Sequence, residues 1–163
     1  MPGYVIHLSV GKIYLKKNKI YNVDEFKMGI IEPDLLSDKL QSHFGNSSSN
    51  PDLKKYIELN PTLNDFREGY FLHLLTDYLF YNRFLMHCSP DIYEDYDKLN
   101  LSIIKKYEIS IPDEVKKIVK YKNGNPKILD EKRIFKFIEA VGKINIRKFF
   151  VEKNIKIDDN LMF

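Results

Sequence analysis

The chain has 163 residues, which is enough for one domain with a sizeable hydrophobic core. Its 26 basic and 23 acidic residues are interspersed and give a net charge of +3, so the sequence has no strong signature of a nucleic-acid-binding surface. Seven glycines and seven prolines are too few for a sandwich or barrel built on many tight turns, and one cysteine excludes an internal disulfide.

The N-terminal segment predicts neither export nor a membrane anchor. No basic leader precedes its apolar part, and His7 lies inside that part, unlike in a secretory signal. No uninterrupted apolar run reaches the length that spans a bilayer. Together with the single Cys88, these features predict a cytoplasmic protein without a membrane span, and they leave its oligomeric state open.

Two helices are predicted at the start of the chain. Tyr4 to Lys17 has one wide apolar face, and His7 lies on or beside that face. A second helix covers Val23 to Ile31 after a polar break. Pro33 disfavours helical geometry at the residue before it, so we expect this helix to stop at Glu32.

Asp34 and His43 lie in the stretch between the second helix and a polar loop. Asp34 follows the turn expected at Pro33, a position from which a side chain can be directed inward. Residues 35–44 are predicted to be irregular or a short helix, and they position His43. The small polar residues 45–50 predict an exposed loop.

The longest predicted helix runs from Phe66 to His87 and carries His73 and Asp77 four residues apart. A helix advances roughly 100° per residue, so these two side chains project from nearly the same face. That face also carries Tyr70 and Phe84, which indicates that the pair points into the core. A metal site and a buried His–Asp hydrogen bond that only orients the helix are both compatible with this spacing.

The remaining segments complete an all-α prediction. Apolar periodicity and proline positions predict further helices at Asp52–Leu59, Asp91–Tyr107, Asp113–Tyr121, Leu129–Val141 and Ile144–Glu152. The candidate helix caps are Asn22 or Asp24, Asn50 and Thr62. No run of strands, internal repeat or long linker is present, so we expect residues 1–163 to form a single irregular multi-helix bundle around the long central helix.

Five residues from separate elements form a candidate metal site: His7, Asp34, His43, His73 and Asp77. Nitrogen and oxygen donors suit zinc, manganese or iron, and the absence of thiolates argues against a purely structural zinc site. Five donors exceed the needs of one four-coordinate ion, so they could hold one or two ions, with an aspartate bridging a pair. Such a pair activates water near neutral pH and holds both oxygens of a displaced phosphate. The alternative for each histidine is a core residue satisfied by a neighbour.

The order of these residues resembles the zinc-dependent phospholipase C family, whose all-helical fold is shared with S1/P1-type nucleases. The matching motifs are an early His7, the turn Gly29-Ile30-Ile31-Glu32-Pro33-Asp34, Ser42-His43-Phe44, and the segment from Gly69 to Asp77 that ends in His-x-x-x-Asp. The resemblance covers roughly the first half of the chain. It implies that His43, His73 and Asp77 ligate one metal, and that Asp77 with His7 reaches a second. Asp34 would be a metal ligand or the catalytic base that orients the attacking water.

The chain departs from the family pattern at both ends. The family's enzymes begin, after processing, with a tryptophan whose amine binds metal, whereas this chain starts with Met1-Pro2 and has no tryptophan. The family also has a later histidine and a closing His-x-x-x-Glu, but here the only later histidine is His87. We therefore expect at most one or two ions. We favour a helix end packed on the core as the role of His87.

Three functions follow as hypotheses. The first is a zinc-type, metal-dependent hydrolase of a small phosphoester. The second is a non-catalytic descendant of the fold that acts as a binding or structural module, which the missing C-terminal ligands support. The third, an HD-type phosphohydrolase, needs an adjacent His-Asp pair, and no histidine in the chain is followed by aspartate.

Overall fold

A computed structural model describes residues 2–45, 47–85, 89–161 and 163. Within these ranges the chain is helical and contains no strand beyond an isolated bridge between Ser47 and Asn50, so the all-α prediction is confirmed. The helices are α1 (Tyr4–Leu15), α2 (Val23–Leu35), α3 (Lys39–Ser42), α4 (Leu53–Leu59), α5 (Asp65–Leu79), α6 (Ile92–Tyr107), α7 (Glu131–Gly142) and α8 (Ile146–Glu152). A π-helical turn, Phe80–Phe84, extends α5.

Two helices, α1 and α5, occupy the centre of the bundle. In α1 nearly every residue from Tyr4 to Tyr14 is buried, because α2, α5, α6 and α7 all pack against it. In α5 the residues from Glu68 to Leu79 are buried except Tyr78. The π-helical turn carries the central helix on to Phe84, whereas the predicted end at His87 lies outside the described residues. The site residues on α1 and α5 therefore lie at fully buried positions.

In the part of the chain that the structure describes, the closest helix packing joins α2 to α5 through two facing glycines. A Cβ atom added to Gly29 would lie 2.0 Å from the carbonyl oxygen of Phe66. A Cβ atom added to Gly69 would lie 2.1 Å from the carbonyl oxygen of Phe26. Only glycine permits backbone contact of this kind on both sides. This contact holds the last turn of α2, with Asp34, against the site residues of α5.

The second helix is longer than predicted, and the expectation that it stops at Glu32 is wrong. It passes through Pro33 and ends at Leu35, so Asp34 lies inside its last turn and does not follow a turn. A proline this close to a helix end removes only one backbone hydrogen bond. The amide of Leu36 donates to the carbonyl of Glu32 at 3.2 Å and closes the last turn.

Most of the helices, but not α1 and α6, begin at a polar side chain that accepts a hydrogen bond from the amide three residues ahead. Asn22 caps α2 in this way, as predicted. The predicted caps Asn50 and Thr62 are wrong, because Asp52 caps α4 and Asn64 caps α5. Helix α4 begins at Leu53, one residue later than predicted, and α5 begins at Asp65, one residue earlier, since the cap stands directly before the first helical residue.

The predicted helix Asp113–Tyr121 is also wrong, because this segment forms only turns. Val115 and Val119 are buried one turn apart, which explains the helical pattern. The carbonyl of Lys120 instead accepts a hydrogen bond from the side chain of Asn100 on α6 at 2.8 Å. Within the segment, the amides of Val115 and Ile118 donate over only three residues, to the carbonyls of Pro112 at 3.1 Å and Val115 at 2.9 Å, so these bonds close tight turns. Across the described residues, no helix combines the length and the apolar character needed to cross a lipid bilayer.

Candidate metal centre

The structure brings all five candidate residues together in the core. His7 lies in α1, Asp34 in the last turn of α2, His43 directly after α3, and His73 and Asp77 in α5. Each of the five side chains has no solvent-exposed surface. Three histidines and two carboxylates from four elements therefore share one buried site.

One half of the site consists of His43 and His73 facing the two carboxylates. Oδ2 of Asp77 lies 2.9 Å from Nε2 of His43 and 3.1 Å from Nε2 of His73. Oδ1 of Asp34 lies 3.6 Å from both of these nitrogens. One ligand atom from each of the four residues lies within 4.8 Å of the others, so this group could hold a metal ion.

The other half of the site is formed by His7 and the opposite oxygens of the same carboxylates. Nε2 of His7 lies 3.1 Å from Oδ1 of Asp77 and 4.0 Å from Oδ2 of Asp34. The His7 ring stacks on the His73 ring, with centroids 3.8 Å apart and planes inclined by 7°. Each carboxylate thus directs one oxygen toward His7 and the other toward the remaining two histidines.

Main-chain carbonyls orient two of the imidazoles. Nδ1 of His73 lies 2.6 Å from the carbonyl oxygen of Ile30 in α2. Nδ1 of His43 lies 3.1 Å from the carbonyl oxygen of Lys39 and 2.8 Å from Oγ of Ser42. A carbonyl only accepts hydrogen bonds, so the hydrogen-bonded Nδ1 carries the proton. In the neutral ring the lone pair of Nε2 then faces the carboxylates, which is the arrangement that metal-ligating histidines adopt.

Several polar atoms of this site are buried and have no hydrogen-bond partner among the residues that the structure describes. They are Nδ1 and Nε2 of His7, both oxygens of Asp34, Nε2 of His73 and Oδ1 of Asp77. The 3.1 Å contacts of His7 and His73 with Asp77 therefore lack hydrogen-bond geometry, whereas the His43–Asp77 contact has it. Burying polar groups unpaired costs about 1–3 kcal/mol each. A cation placed among these donors would satisfy them, and this fits nitrogen and oxygen ligands without thiolates.

The protonation of the site follows from burial and from its own charges. Burial lowers the pKa of His7, helped by the neighbouring His73 and opposed by Asp77 and Asp34. Burial also acts to lower the pKa of His73, but the Asp77 and Asp34 carboxylates prevail and raise it. Burial acts to raise the pKa of Asp77, yet His73 and His7 hold it well below its usual range. Asp77 is thus ionised, and positive charge is favoured beside it.

A large cavity adjoins the segments that carry His43 and Asp77. Its volume is about 790 Å³, and its lining includes Phe44 and Tyr78, the residues that follow these two ligands in the chain. Basic side chains of Lys55 and Arg83 also line it. None of the five candidate residues lines this cavity, so the donor atoms are closed off from it.

Several groups around the site were not identified from the sequence. They are the Ile30 carbonyl, the hydroxyl of Ser42, the Gly29–Gly69 contact and the Tyr4 phenol, whose pKa rises to about 12 through burial and the charge of Asp34. The two glycines were visible as the first residues of the two matching motifs. A carbonyl acceptor leaves no sequence signal, because every residue has one. His87, discussed above as a late histidine, lies outside the described residues.

Comparisons with known proteins give no relative of this chain. No protein-family model matches it, and no curated protein and no solved structure is significantly similar to it. The interpretation of the site therefore depends on its own geometry and on the order of its motifs.

Proposed function

We propose that this protein is a metal-dependent hydrolase of small phosphoesters, with zinc as the leading metal and manganese or iron as alternatives. The observation that carries the proposal is the set of unpaired donor atoms on His7, Asp34, His73 and Asp77, buried around one point. The motif order that resembles zinc-dependent phospholipase C enzymes supports the phosphoester class. A cytoplasmic location and a substrate smaller than bulk lipid remain part of the proposal.

The donor geometry supports one or two ions. His43, His73, Asp34 and Asp77 supply four ligands for the first, within 4.8 Å of one another. His7 with Oδ1 of Asp77 and Oδ2 of Asp34 would supply the ligands of a second. When bound at such a site, a divalent cation lowers the pKa of a coordinated water and neutralises charge on a phosphoryl oxygen.

The two carboxylates would have separate roles in metal ligation and in orienting the attacking water. Asp77 would present one oxygen to each half of the site, since its two oxygens face different histidines. Asp34 would either ligate the metal or act as the base that orients the attacking water. It lies in the last turn of α2, and His43 follows the four-residue α3, so we place the movement that would admit a substrate at these two segments. Because the donors are fully buried, a phosphoester reaches them only after such a movement.

Metal analysis combined with a hydrolysis assay tests the proposal. Protein purified without a histidine tag should contain about one or two zinc, manganese or iron ions per chain by elemental analysis. It should hydrolyse p-nitrophenyl phosphate or bis-p-nitrophenyl phosphate, and Asp77→Asn should lose both metal and activity. Metal-free protein from every preparation, with no gain of activity when metals are added, would refute it.

The second candidate function, a non-catalytic binding or structural module, is favoured by one observation. All five side chains have zero exposed surface, as expected of a site that only stabilises the fold. Protein that binds metal and gains stability from it, yet hydrolyses no phosphomonoester or phosphodiester, would favour this module over the hydrolase.

A further inference from the structure

Among the candidate ligands, His43 has the weakest local support for its position. His7 and His73 lie inside helices of 12 and 15 residues, whereas His43 directly follows α3, which has only four. A helix this short is not stable by itself. The next residue, Phe44, has a φ of 59°, a left-handed conformation that non-glycine residues rarely adopt. Contacts from other elements must therefore hold the imidazole of His43 in place.

Tyr70 makes one of these contacts, and it does so from the helix that carries two other ligands. Its hydroxyl donates a hydrogen bond of 2.6 Å to the carbonyl oxygen of Ser42. That carbonyl belongs to the peptide unit that joins Ser42 directly to the Cα atom of His43. Tyr70 precedes His73 by one helical turn and Asp77 by two, so all three project from one face of α5.

Packing restricts the Tyr70 side chain to this role. It is buried, with 7% of its surface exposed, and its ring stacks on that of Tyr56 at 5.3 Å between centroids. The ring of Phe44 packs edge-on against the Tyr70 ring, with centroids 6.1 Å apart, so Tyr70 also contacts the residue after His43. Burial and these two ring contacts thus fix the position of the hydroxyl relative to α5.

We propose that Tyr70 is a positioning residue for the metal: its hydroxyl, through the Ser42 carbonyl, places His43 at the correct distance from His73 and Asp77. This inference rests on the metal binding assumed in the proposed function. It assigns to Tyr70 no contact with metal or substrate. Groups that orient metal ligands typically influence affinity by about 10- to 100-fold.

The chain offers a closely matched control in Tyr56. This tyrosine is also buried, belongs to the same stacked pair, and donates its hydroxyl to a backbone carbonyl, that of Arg67 at 3.2 Å. Arg67 lies in the first turn of α5, away from every candidate ligand. Tyr70→Phe and Tyr56→Phe each remove one hydroxyl and keep the ring, so they differ mainly in which carbonyl loses its donor.

Cobalt(II) binding measures the effect, because its visible spectrum reports the number and kind of ligands. Tyr70→Phe should weaken cobalt affinity by about 10- to 100-fold and change the visible bands, whereas Tyr56→Phe should leave both as in the wild type. In a His43→Ala background, Tyr70→Phe should cause no further loss of affinity, because the ligand that it positions is gone.

Two results would overturn the inference in distinguishable ways. Wild-type protein that binds no cobalt, zinc or manganese would remove the proposed function together with this role of Tyr70. Wild-type protein that binds cobalt with the same affinity and spectrum as Tyr70→Phe would leave the proposed function intact and show that Tyr70 has only a structural role.

Discussion

Asp77 is the residue on which both halves of the site depend. Its two oxygens lie 3.1 Å from His7 and 2.9 Å from His43, and it is completely buried. The adjacent Asp34 carboxylate is also buried, so two negative charges share a region of low dielectric constant. A bound cation offsets that repulsion, which couples metal binding to folding.

We expect a chelator to lower the melting temperature and zinc or manganese to restore it. Metal at about a thousand times its dissociation constant contributes about 4 kcal/mol to the free energy of unfolding. Asp77→Asn should abolish the response to both additions, because the shared ligand is lost. Differential scanning fluorimetry with and without the chelator measures these melting temperatures.

Asp95→Asn is the matched control for this experiment. Asp95 is also completely buried, but its carboxylate accepts hydrogen bonds from the amides of Lys127, Ile128 and Leu129, none of which is a candidate ligand. Loss of the Asp95 carboxylate should lower the melting temperature of the variant, but a chelator should still lower it further. An unchanged melting temperature in wild-type protein shown to lose its metal would contradict the coupling.

The pKa of His73 sets a pH dependence for metal binding. Because the carboxylates raise this pKa above the ordinary value of about 6.5, His73 keeps its proton to higher pH than an ordinary histidine, and a metal must displace that proton. Metal affinity should therefore fall as pH decreases from about 8 to 6. Titration calorimetry in buffers of different ionisation enthalpy should detect proton release at pH 7. Affinity independent of pH over this range would argue against His73 as a ligand.

The stability that His73 contributes to the metal-free fold changes with pH in the opposite direction to metal affinity: it falls as pH rises. A raised pKa means that the folded state binds the proton more tightly than the unfolded state. This contribution is present below about pH 6.5 and is lost as pH rises through the folded pKa of His73. The depressed pKa of Asp77 gives a contribution that is present above about pH 4 and is lost as pH falls.

Among the helix contacts, the one between α2 and α5 decides whether the ligands meet. Gly29 and Gly69 let the two backbones touch, and the carbonyl of Ile30 then reaches Nδ1 of His73 at 2.6 Å. Asp34 lies one turn further along α2, opposite Asp77. Any side chain at either glycine would separate the helices and also the two carboxylates.

We expect Gly69→Ala to destabilise the fold and weaken metal binding together. The added methyl would lie 2.1 Å from the carbonyl oxygen of Phe26, a backbone atom that cannot rotate away. Overpacking of this kind costs about 1–3 kcal/mol or more, although alanine favours the helix. Urea denaturation and metal titration measure the two effects.

Gly3→Ala is the control for this substitution. A Cβ atom at Gly3 would meet Tyr96 at 3.6 Å, an ordinary van der Waals distance. Gly3 is the N-cap residue of α1, where alanine is less favourable than glycine, so stability should fall by no more than about 1 kcal/mol, and metal affinity should match that of the wild type. Equal behaviour of Gly3→Ala and Gly69→Ala would show that close approach of α2 and α5 is not required.

Across the molecule, α8 is tied to the central helices by a buried charge. Glu68 of α5 is buried, and it accepts hydrogen bonds from the hydroxyl of Tyr14 in α1 and from Nε of Arg147 in α8 at 2.6 Å. The guanidinium also donates to the carbonyl of Lys19 at 2.8 Å. The C-terminal part of the chain thus closes the bundle against the two helices that carry three of the ligands.

We expect Arg147→Met to lower the free energy of unfolding by about 1–3 kcal/mol, since it leaves the buried Glu68 carboxylate without its cation. The value is below that of a fully buried pair because the Arg147 side chain is 41% exposed. Lys148→Met, which breaks an exposed pair with Glu152, should change stability by less than about 0.5 kcal/mol. Urea denaturation of both variants checks this, and an equal loss would contradict it.

The sequence by itself determined the helical class and the inward direction of the candidate ligands. Apolar residues recur at helical spacing, and His73 and Asp77 lie on an apolar face, so burial of that face carries both inward. The order of His7, Asp34, His43, His73 and Asp77 indicated one site before any contact was known.

Only the tertiary structure decided how those residues meet. The passage of α2 through Pro33, the orientation of His73 by a carbonyl and the bond from Tyr70 to Ser42 all involve backbone groups, which every residue possesses. The predicted helix near Asp113 instead forms turns, and the Lys120 carbonyl at its end is bound by Asn100 of α6, a contact that local periodicity does not indicate. Side-chain pattern specifies which face is buried, but pairing of backbone groups between elements depends on distances that arise only when the helices pack.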